Sequence, residues 1–191
     1  MKSYSQSCQD LFALEVCTTK SYIEIGAKKP VKFNNTYKLE NNNFQGFSLE
    51  LSKKHMPDWD AESRKNKCYF ENALTFDYKS AIQENNMSMH VGYLSCDIEP
   101  AANTFRALQR VIEQGVTFDC ITFEHDEYQE GSKYNLLAKE FMIKNGYKVA
   151  IDQVFINDEP EKIYETWFVN NNIDYTTSTY ITFLEQNKTI I

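Results

Sequence analysis

The sequence predicts an α/β protein with a largely parallel sheet, and two observations lead to this prediction. Short apolar runs alternate with amphipathic segments almost throughout the 191 residues, as expected for strands joined by crossover helices. The first of these apolar runs, at residues 22–25, is followed by Gly26, and the run at residues 47–51 contains Glu50. A glycine and an acid at the ends of neighbouring strands are typical of nucleotide-type sites in open α/β sheets.

Seven strands follow from the apolar runs. They are expected at residues 22–25, 47–51, 68–70, 91–98, 118–123, 147–151 and 164–169. The link between the last two strands is short, whereas a parallel crossover needs a dozen or more residues. This last pair is therefore predicted to be antiparallel.

The segments between the strands supply the helices. They are expected at residues 10–16, 36–39, 56–66, 76–83 and 136–143, with one more helix beginning after Glu99. Pro100 fits the first turn of that helix, where its missing N–H is not needed. Leu108, Val111 and Ile112 form its apolar stripe, which we expect to pack on the sheet.

Composition and length indicate one globular domain. Hydrophobic residues make up 42% and charged residues 25% of the chain, which is ordinary for such a domain. We expect it to span residues 1–191, with a helical segment within 1–20 and a C-terminal tail at 176–191. The net charge is −7, and no run of Lys or Arg exceeds two residues. Nucleic acid is therefore disfavoured as a partner, because such binding needs a basic face.

The cysteines and the apolar segments predict the cellular location. The five cysteines have no CxxC spacing, so we expect structural thiols. The N-terminus lacks the apolar stretch of a signal peptide, and no segment approaches the roughly twenty apolar residues of a membrane span. We therefore expect a cytoplasmic protein without a membrane partner.

Five short blocks and the end of the chain carry a resemblance to a known family. In chain order their residues are Ser5, Gln6, Gln9 and Asp10; Glu24, Ile25, Gly26 and Ala27; Asn35, Thr36, Tyr37, Leu39 and Glu40; Gly46, Leu49 and Glu50; Tyr93, Leu94, Ser95, Asp97, Ile98 and Glu99; and Gly146, Tyr147, Trp167, Phe168 and Val169. In order and spacing they resemble the FkbM-type methyltransferases. This resemblance covers residues 5–170 and implies a class I, Rossmann-like fold with a mostly parallel seven-stranded sheet and a late antiparallel strand pair.

The resemblance also implies a cofactor, S-adenosylmethionine (SAM), and a site for it. The residues that would line this site are Glu24, Gly26 and Ala27 at the methionine end, Glu50 at the ribose hydroxyls, and Asn72 and Ala73 at the adenine. All of them fall at the carboxyl ends of predicted strands, where open sheets bind ligands.

Acidic residues cluster at the ends of the fourth and fifth strands. By the resemblance, Asp97 and Glu99 would face the transferred methyl group and the acceptor. The next strand ends at Glu124, His125 and Asp126, which suits either of two uses. His125 could act as a base that a carboxylate orients, or the oxygens could hold a divalent cation that chelates a sugar diol. We predict Asp97, Glu99 and His125 as catalytic residues and no resident metal.

The chain departs from the family pattern at Lys28, Lys29 and Pro30, which replace an acid and a flexible glycine. Asn72 stands where an acid is frequent, and Pro100 where a glycine is usual. We expect a SAM-dependent O-methyltransferase that acts on a sugar or glycan-linked hydroxyl of a small-molecule or glycan acceptor. The alternatives are a catalytically silent, methyltransferase-like binding or scaffold domain, and an α/β domain whose lysines bind the phosphates of a sugar nucleotide.

Overall fold

The computed structural model describes residues 2–156 and 159–174, so the predicted tail at 176–191 lies outside the described residues. The strands are β1 (Ser21–Ile25), β2 (Gln45–Leu49), β3 (Lys67–Tyr69), β4 (His90–Cys96), β5 (Thr117–Glu124), β6 (Tyr147–Phe155) and β7 (Ile163–Asn170). The helices are α1 (Gln9–Val16), α2 (Tyr37–Asn41), α3 (Met56–Glu62), α4 (Tyr78–Glu84), α5 (Ala101–Glu113), α6 (Glu127–Glu130) and α7 (Lys133–Lys144). A 3₁₀ turn over Lys53–His55 precedes α3.

The seven strands form one sheet in the order β3-β2-β1-β4-β5-β7-β6. The pairs among β1 to β5 are parallel, whereas β7 runs antiparallel to both β5 and β6. The predicted fold class is thereby confirmed. The strand order reverses between β1 and β4, and open sheets bind ligands outside the carboxyl ends of their strands at such a point. We call the residues that follow β1, β2, β4 and β5 at this edge the strand-end site.

Apolar side chains cover both faces of the sheet. On β1, Ile23 and Ile25 belong to the core beneath α4, α5 and α7, while Tyr22 belongs to the core that includes Phe12 of α1 and Leu39 of α2. This alternation follows from the two-residue repeat of a strand. None of the helices in the described part of the chain is long and apolar enough to cross a membrane.

Several elements differ in their ends from the predictions, among them the fourth strand, predicted at residues 91–98, which ends at Cys96, and the sixth, predicted at residues 147–151, which extends to Phe155. Two further differences bear on the strand-end site. The second strand is predicted at residues 47–51 but ends at Leu49, because its partner β3 ends at Tyr69, which pairs with Leu49 and accepts the Glu50 N–H. The third helix was predicted at residues 56–66 but ends at Glu62. The chain then turns inward so that Arg64 can reach buried acceptors.

Arg64 connects three parts of the fold through a buried polar network. Its Nε donates to Glu40 Oε2 at 2.9 Å, and both side chains are nearly inaccessible, at 3% and 6% exposure. Its Nη2 donates to the Tyr22 hydroxyl at 3.1 Å and its Nη1 to the Pro30 carbonyl at 2.6 Å. The guanidinium therefore joins α2, β1 and the loop that follows β1.

Replacing Arg64 with Met should destabilise the fold by about 3–5 kcal/mol, because the buried Glu40 carboxylate loses its counter-charge. Urea unfolding measures this loss. The double variant R64M/E40Q should recover part of it, since the amide needs no counter-charge. Glu140 and Lys144 form an exposed pair, so Glu140→Gln serves as a control that should change stability by no more than about 0.5 kcal/mol. Equal effects of R64M and the control would contradict this account of the network.

Candidate functional site

Glu24 lies on β1 with only 2% of its surface exposed. Its carboxylate accepts hydrogen bonds from Asn34 Nδ2, Thr36 Oγ1 and Ser48 Oγ at 2.7–3.0 Å, and from the Asn35 N–H at 3.0 Å. Burial raises the pKa of Glu24 above its ordinary value. The Arg64 guanidinium and the three side-chain donors offset only part of this rise. Glu24 therefore holds residues 34–36 against β1 and β2. Its contact with a cofactor stays a prediction.

Gly26 ends β1 at a point where a larger residue does not fit. Its φ is +90°, and a Cβ built on it would lie 1.6 Å from the Asp97 carbonyl oxygen. The N–H groups of Gly26 and Ala27 both donate to the Leu49 carbonyl, at 2.9 and 3.0 Å, and the Asp97 N–H donates to Ile25. Gly26 thus allows the ends of β1, β2 and β4 to pack together. A role of Gly26 and Ala27 in cofactor binding stays a prediction.

Glu50 and Leu51 form the end of β2 at the strand-end site. Glu50 is 8% exposed, and each of its oxygens accepts one backbone N–H, from Lys28 at 2.8 Å and from Ser52 at 2.6 Å. Each oxygen keeps a lone pair for a further donor. Leu51 directly follows and is 67% exposed. Leu51 falls within the strand predicted at residues 47–51, but the structure places it after the end of β2.

Asn72 and Ala73 follow β3 in a tight turn. Asn72 is exposed, and its Oδ1 accepts a hydrogen bond from the Leu74 N–H at 2.9 Å. Ala73 is buried, and its carbonyl accepts one from the Tyr78 hydroxyl at 3.1 Å. In the sheet β3 is the outermost strand and pairs with β2, so this turn and the end of β4 lie on opposite sides of β2. These two residues and the carboxyl groups after β4 therefore lie on opposite sides of Glu50.

Four carboxyl groups meet where β4 and β5 end and the antiparallel β7 begins, and we call Asp97, Glu124, Asp126 and Glu165 the acidic cluster. The carboxyl groups of Asp97, Glu165 and Asp126 all act on Glu124, because each of them raises its pKa. Burial raises the pKa of Glu165 to about 8 and that of Asp126 to about 6, with nearby carboxylates contributing. Burial, followed by Asp97, raises that of Glu124 well above its ordinary value. The cluster therefore retains protons near neutral pH.

Asp97 is the member of this cluster with a free acceptor. Among the described residues, its buried Oδ1 has no hydrogen-bond partner. Burial raises the pKa of Asp97 while Lys28 lowers it, and Asp97 in turn raises the pKa of Lys28. Lys28 Nζ also lies 3.9 Å from Glu99 Oε1, and both of these side chains are largely exposed. The structure thus brings the predicted residues Asp97 and Glu99 together, with Lys28 beside them.

Gln9 was not predicted as a site residue, although it lies in the first block of the family resemblance. Its Nε2 donates to Glu165 Oε1 at 3.0 Å and to the Tyr164 hydroxyl at 2.9 Å. Trp167 Nε1 donates to the other oxygen of Glu165 at 2.5 Å. The start of α1 is therefore bonded to the acidic cluster. No sequence pattern could show this contact between two distant parts of the chain.

His125 does not join the acidic cluster, although it lies between Glu124 and Asp126 in the sequence. Its side chain is buried and its Nε2 lies 3.2 Å from Thr166 Oγ1, whereas Glu165, the preceding residue on β7, belongs to the cluster. Neighbouring residues of a strand point to opposite faces, so His125 faces the α7 side. Burial lowers its pKa to about 4, which leaves the imidazole neutral at pH 7. The structure gives no support to the prediction of His125 as the base.

A metal site was one of the two uses that the sequence left open. Over residues 2–156 and 159–174, no three histidine, cysteine or acidic side chains are arranged so that they could hold a metal ion. The acidic cluster retains protons and interacts with Lys28. Such an arrangement suits proton transfer or a polar ligand.

Comparison with known proteins identifies the fold. No family model matches the chain, and no curated protein matches it in sequence. TrmK of M. capricolum in complex with S-adenosyl-homocysteine (SAH) has a TM-score of 0.58 and 13% identity, over 98% of this chain and 85% of that chain. The plantazolicin methyltransferase BpumL in complex with SAH has a TM-score of 0.60 and 9% identity, over 87% and 83% of the two chains.

The methyltransferase domain of bacterial CtHen1-C is similar to the same degree, with a TM-score of 0.59 and 12% identity, over 86% of this chain and 97% of that domain. The chain therefore has the Rossmann-like fold of class I SAM-dependent methyltransferases, as predicted. At identities of 9–13% the likeness shows the fold alone.

Gly26→Ala should cost more than about 4 kcal/mol of stability in urea unfolding, because its Cβ overlaps the Asp97 carbonyl in addition to the positive φ. Gly115→Ala is the matched control: Gly115 has φ +84°, but a Cβ there meets nothing within 4 Å. The control should lose only about 1–2 kcal/mol, the cost of the left-handed backbone. Similar losses in the two variants would show that packing against Asp97 is not the constraint.

His125 should make the fold sensitive to acid. Its native pKa of about 4 lies below the ordinary 6.5. As the pH falls from about 6.5 to 4, His125 therefore binds a proton in the unfolded chain but not in the native state. Between pH 7 and pH 4 the unfolding free energy of the natural chain should fall by about 3 kcal/mol more than that of His125→Gln, since one pKa unit is worth about 1.4 kcal/mol. Chemical unfolding at several pH values measures the difference. Parallel curves for the two proteins would disprove a buried neutral imidazole.

Proposed function

We propose that this protein is a SAM-dependent O-methyltransferase, and one observation carries the proposal. In a sheet with methyltransferase strand order, Glu50 and Asp97 lie on either side of Gly26 at the strand-end site, and Asp97 keeps a buried, unpartnered oxygen among the described residues. An orphaned buried carboxylate oxygen is costly unless a ligand or proton uses it. The solved neighbours TrmK and BpumL, both in complex with SAH, support the choice of cofactor.

The residues present fit SAM. Glu50 has two lone pairs left for ribose hydroxyls after its two backbone contacts, and Leu51 offers an exposed apolar side chain next to it. Asn72 and Ala73 would lie beside the adenine, and Gly26 and Ala27 near the methionine end. Glu24 would act indirectly, by holding residues 34–36 in place. When bound, SAM supplies a methyl group on a sulfonium, which passes to the acceptor oxygen as the C–S bond breaks and SAH leaves.

The acidic cluster would manage the acceptor proton. Asp97 has the free oxygen to receive the hydroxyl proton, and its raised pKa brings it closer to the range in which a base works near neutral pH. Asp126 belongs to the same cluster, and its pKa of about 6 leaves it able to take up that proton in turn. Glu99 is exposed beside Lys28 and would orient the acceptor.

The acceptor we propose is a sugar or glycan-linked hydroxyl. The support is the FkbM-type resemblance in residues 5–170, because a shared fold does not choose among acceptors. A cytoplasmic location and the lack of a nucleic-acid partner stay predictions of the sequence.

A silent, methyltransferase-like domain is the second candidate, and the loop after β1 favours it. The Lys28 N–H already occupies one oxygen of Glu50, and protein donors satisfy Glu24. In such a domain these bonds would serve stability alone, and the protein would not bind SAM.

Thermal unfolding with SAM and SAH distinguishes the two candidates. Ligand at a hundredfold over its Kd should add about 2.7 kcal/mol to the stability, which raises Tm by several degrees. Glu50→Ala should abolish the shift. Asp97→Asn should keep it but lose methyl transfer to a hydroxyl acceptor, because the amide cannot take the proton. Glu113→Gln, on the far end of α5, should change neither. No shift of the natural chain at millimolar SAM would reject the enzyme and favour the silent domain.

A further inference from the structure

Residues 28–33, between β1 and α2, form what we call the basic loop, and the protein interior holds its backbone in place. The Lys28 N–H donates to Glu50, and the carbonyls of Lys28, Lys29 and Pro30 accept from Trp59 Nε1 at 3.1 Å, Asn34 Nδ2 at 3.0 Å and Arg64 Nη1 at 2.6 Å. A loop with this many bonds to buried side chains is preorganised.

The three lysines and the phenylalanine of the basic loop are exposed, in contrast to its backbone. Lys28, Lys29 and Lys32 are exposed, and Phe33 has 60% of its surface accessible, with Lys32 Nζ 5.1 Å from its ring centroid. Lys28 and Phe33 both have positive φ, at 47° and 55°. This conformation is unfavourable for residues other than glycine and persists where the surroundings enforce it, frequently at ligand sites. The two strained residues lie in a loop that exposes an aromatic ring and three ammonium groups beside the strand-end site.

Charge separates sharply at this edge of the sheet. Residues 28–33 and 51–55 contain five lysines and no carboxylate, although the whole chain has a net charge of −7. Glu50, which lies between the two segments, is buried and bonded to the loop. The next exposed carboxylates along the chain are Asp58 and Asp60 on α3, and in space Glu99 lies 3.9 Å from Lys28, which leaves Lys29 and Lys32 as the lysines of the basic loop without an ion pair among the described residues. A local excess of positive charge on an acidic protein fits a small anionic ligand.

We propose that the basic loop binds the nucleoside diphosphate part of the acceptor, which would make the acceptor a nucleoside diphosphate sugar. The proposal rests on the proposed function, because it names the substrate of that same site. Lys29 and Lys32 would contact the diphosphate, and Phe33 would stack on the base. Lys28, whose Nζ lies 3.9 Å from Glu99, also interacts with Asp97 of the acidic cluster, where the sugar hydroxyl would be placed. A long nucleic-acid strand fits less well, because the acidic cluster and the net charge repel it.

Isothermal titration at about 150 mM salt with UDP, UDP-glucose, pyrophosphate, glucose and a short single-stranded RNA tests this proposal. Uridine nucleotides are the probe because adenine would compete for the proposed SAM site. We expect UDP and UDP-glucose to bind, and glucose not to bind. The double variant K29A/K32A should weaken UDP binding by about tenfold or more, since both phosphate contacts lose charge. F33A should weaken it about fivefold or more by loss of stacking, without changing pyrophosphate binding.

Matched controls come from elsewhere in the chain. Lys133 lies 5.1 Å from the ring of the next residue, Tyr134, as Lys32 does from Phe33, and Leu136 is 61% exposed. Lys133→Ala and Leu136→Ala should leave UDP binding unchanged. Four results would overturn the proposal: no binding of either uridine nucleotide, no effect of K29A/K32A, equal losses in the controls, or RNA binding tighter than UDP.

The SAM-dependent shift in Tm separates this proposal from the proposed function. Phe33→Ala and K29A/K32A should keep the SAM shift while losing UDP. If the natural chain binds UDP through Phe33 but shows no SAM shift, the proposed methyl transfer fails and the basic loop remains a nucleotide site. If SAM binds and UDP does not, the methyltransferase remains and this acceptor is wrong.

Discussion

The buried carboxylate of Glu24 is the interaction on which the strand-end site depends. A carboxylate with 2% exposure is tolerated only when donors surround it, and here Asn34, Thr36 and Ser48 supply side-chain donors while the Asn35 N–H supplies a backbone donor. These bonds close the loop after β1 onto β1 and β2. The loop in turn places the Lys28 N–H on Glu50 and the Lys28 ammonium beside the acidic cluster.

Two regions of opposite charge follow from this arrangement. On one side of Gly26 the acidic cluster retains protons because its carboxyl groups are buried together. On the other side the basic loop exposes lysines on a backbone that Trp59, Asn34 and Arg64 hold in place. Lys28 lies between the two regions. A site with this polarity can orient a ligand that has an anionic end and a neutral hydroxyl end.

The predicted strand ends place Glu50, Asp97 and Glu99 at one edge of the sheet, and the structure agrees. The prediction succeeds because the carboxyl ends of parallel strands meet at the same edge. The face on which each side chain lies was harder to predict. Glu124 and His125 are adjacent in the sequence, yet the first joins the acidic cluster and the second is buried on the α7 side. Gln9 and Glu165, which are 156 positions apart, form a hydrogen bond that no local pattern indicates.

The sequence by itself determined the α/β class, the number of strands, the antiparallel last pair and the acids at the strand ends, because these depend on local hydrophobic periodicity and on chain connectivity. Only the tertiary structure decided which acids have raised pKa values, why Gly26 must be glycine and which loop presents the lysines. The pKa values depend on burial and on distances between strands. The glycine is required by the Asp97 carbonyl, which lies 71 residues further along the chain and meets it only in the folded sheet.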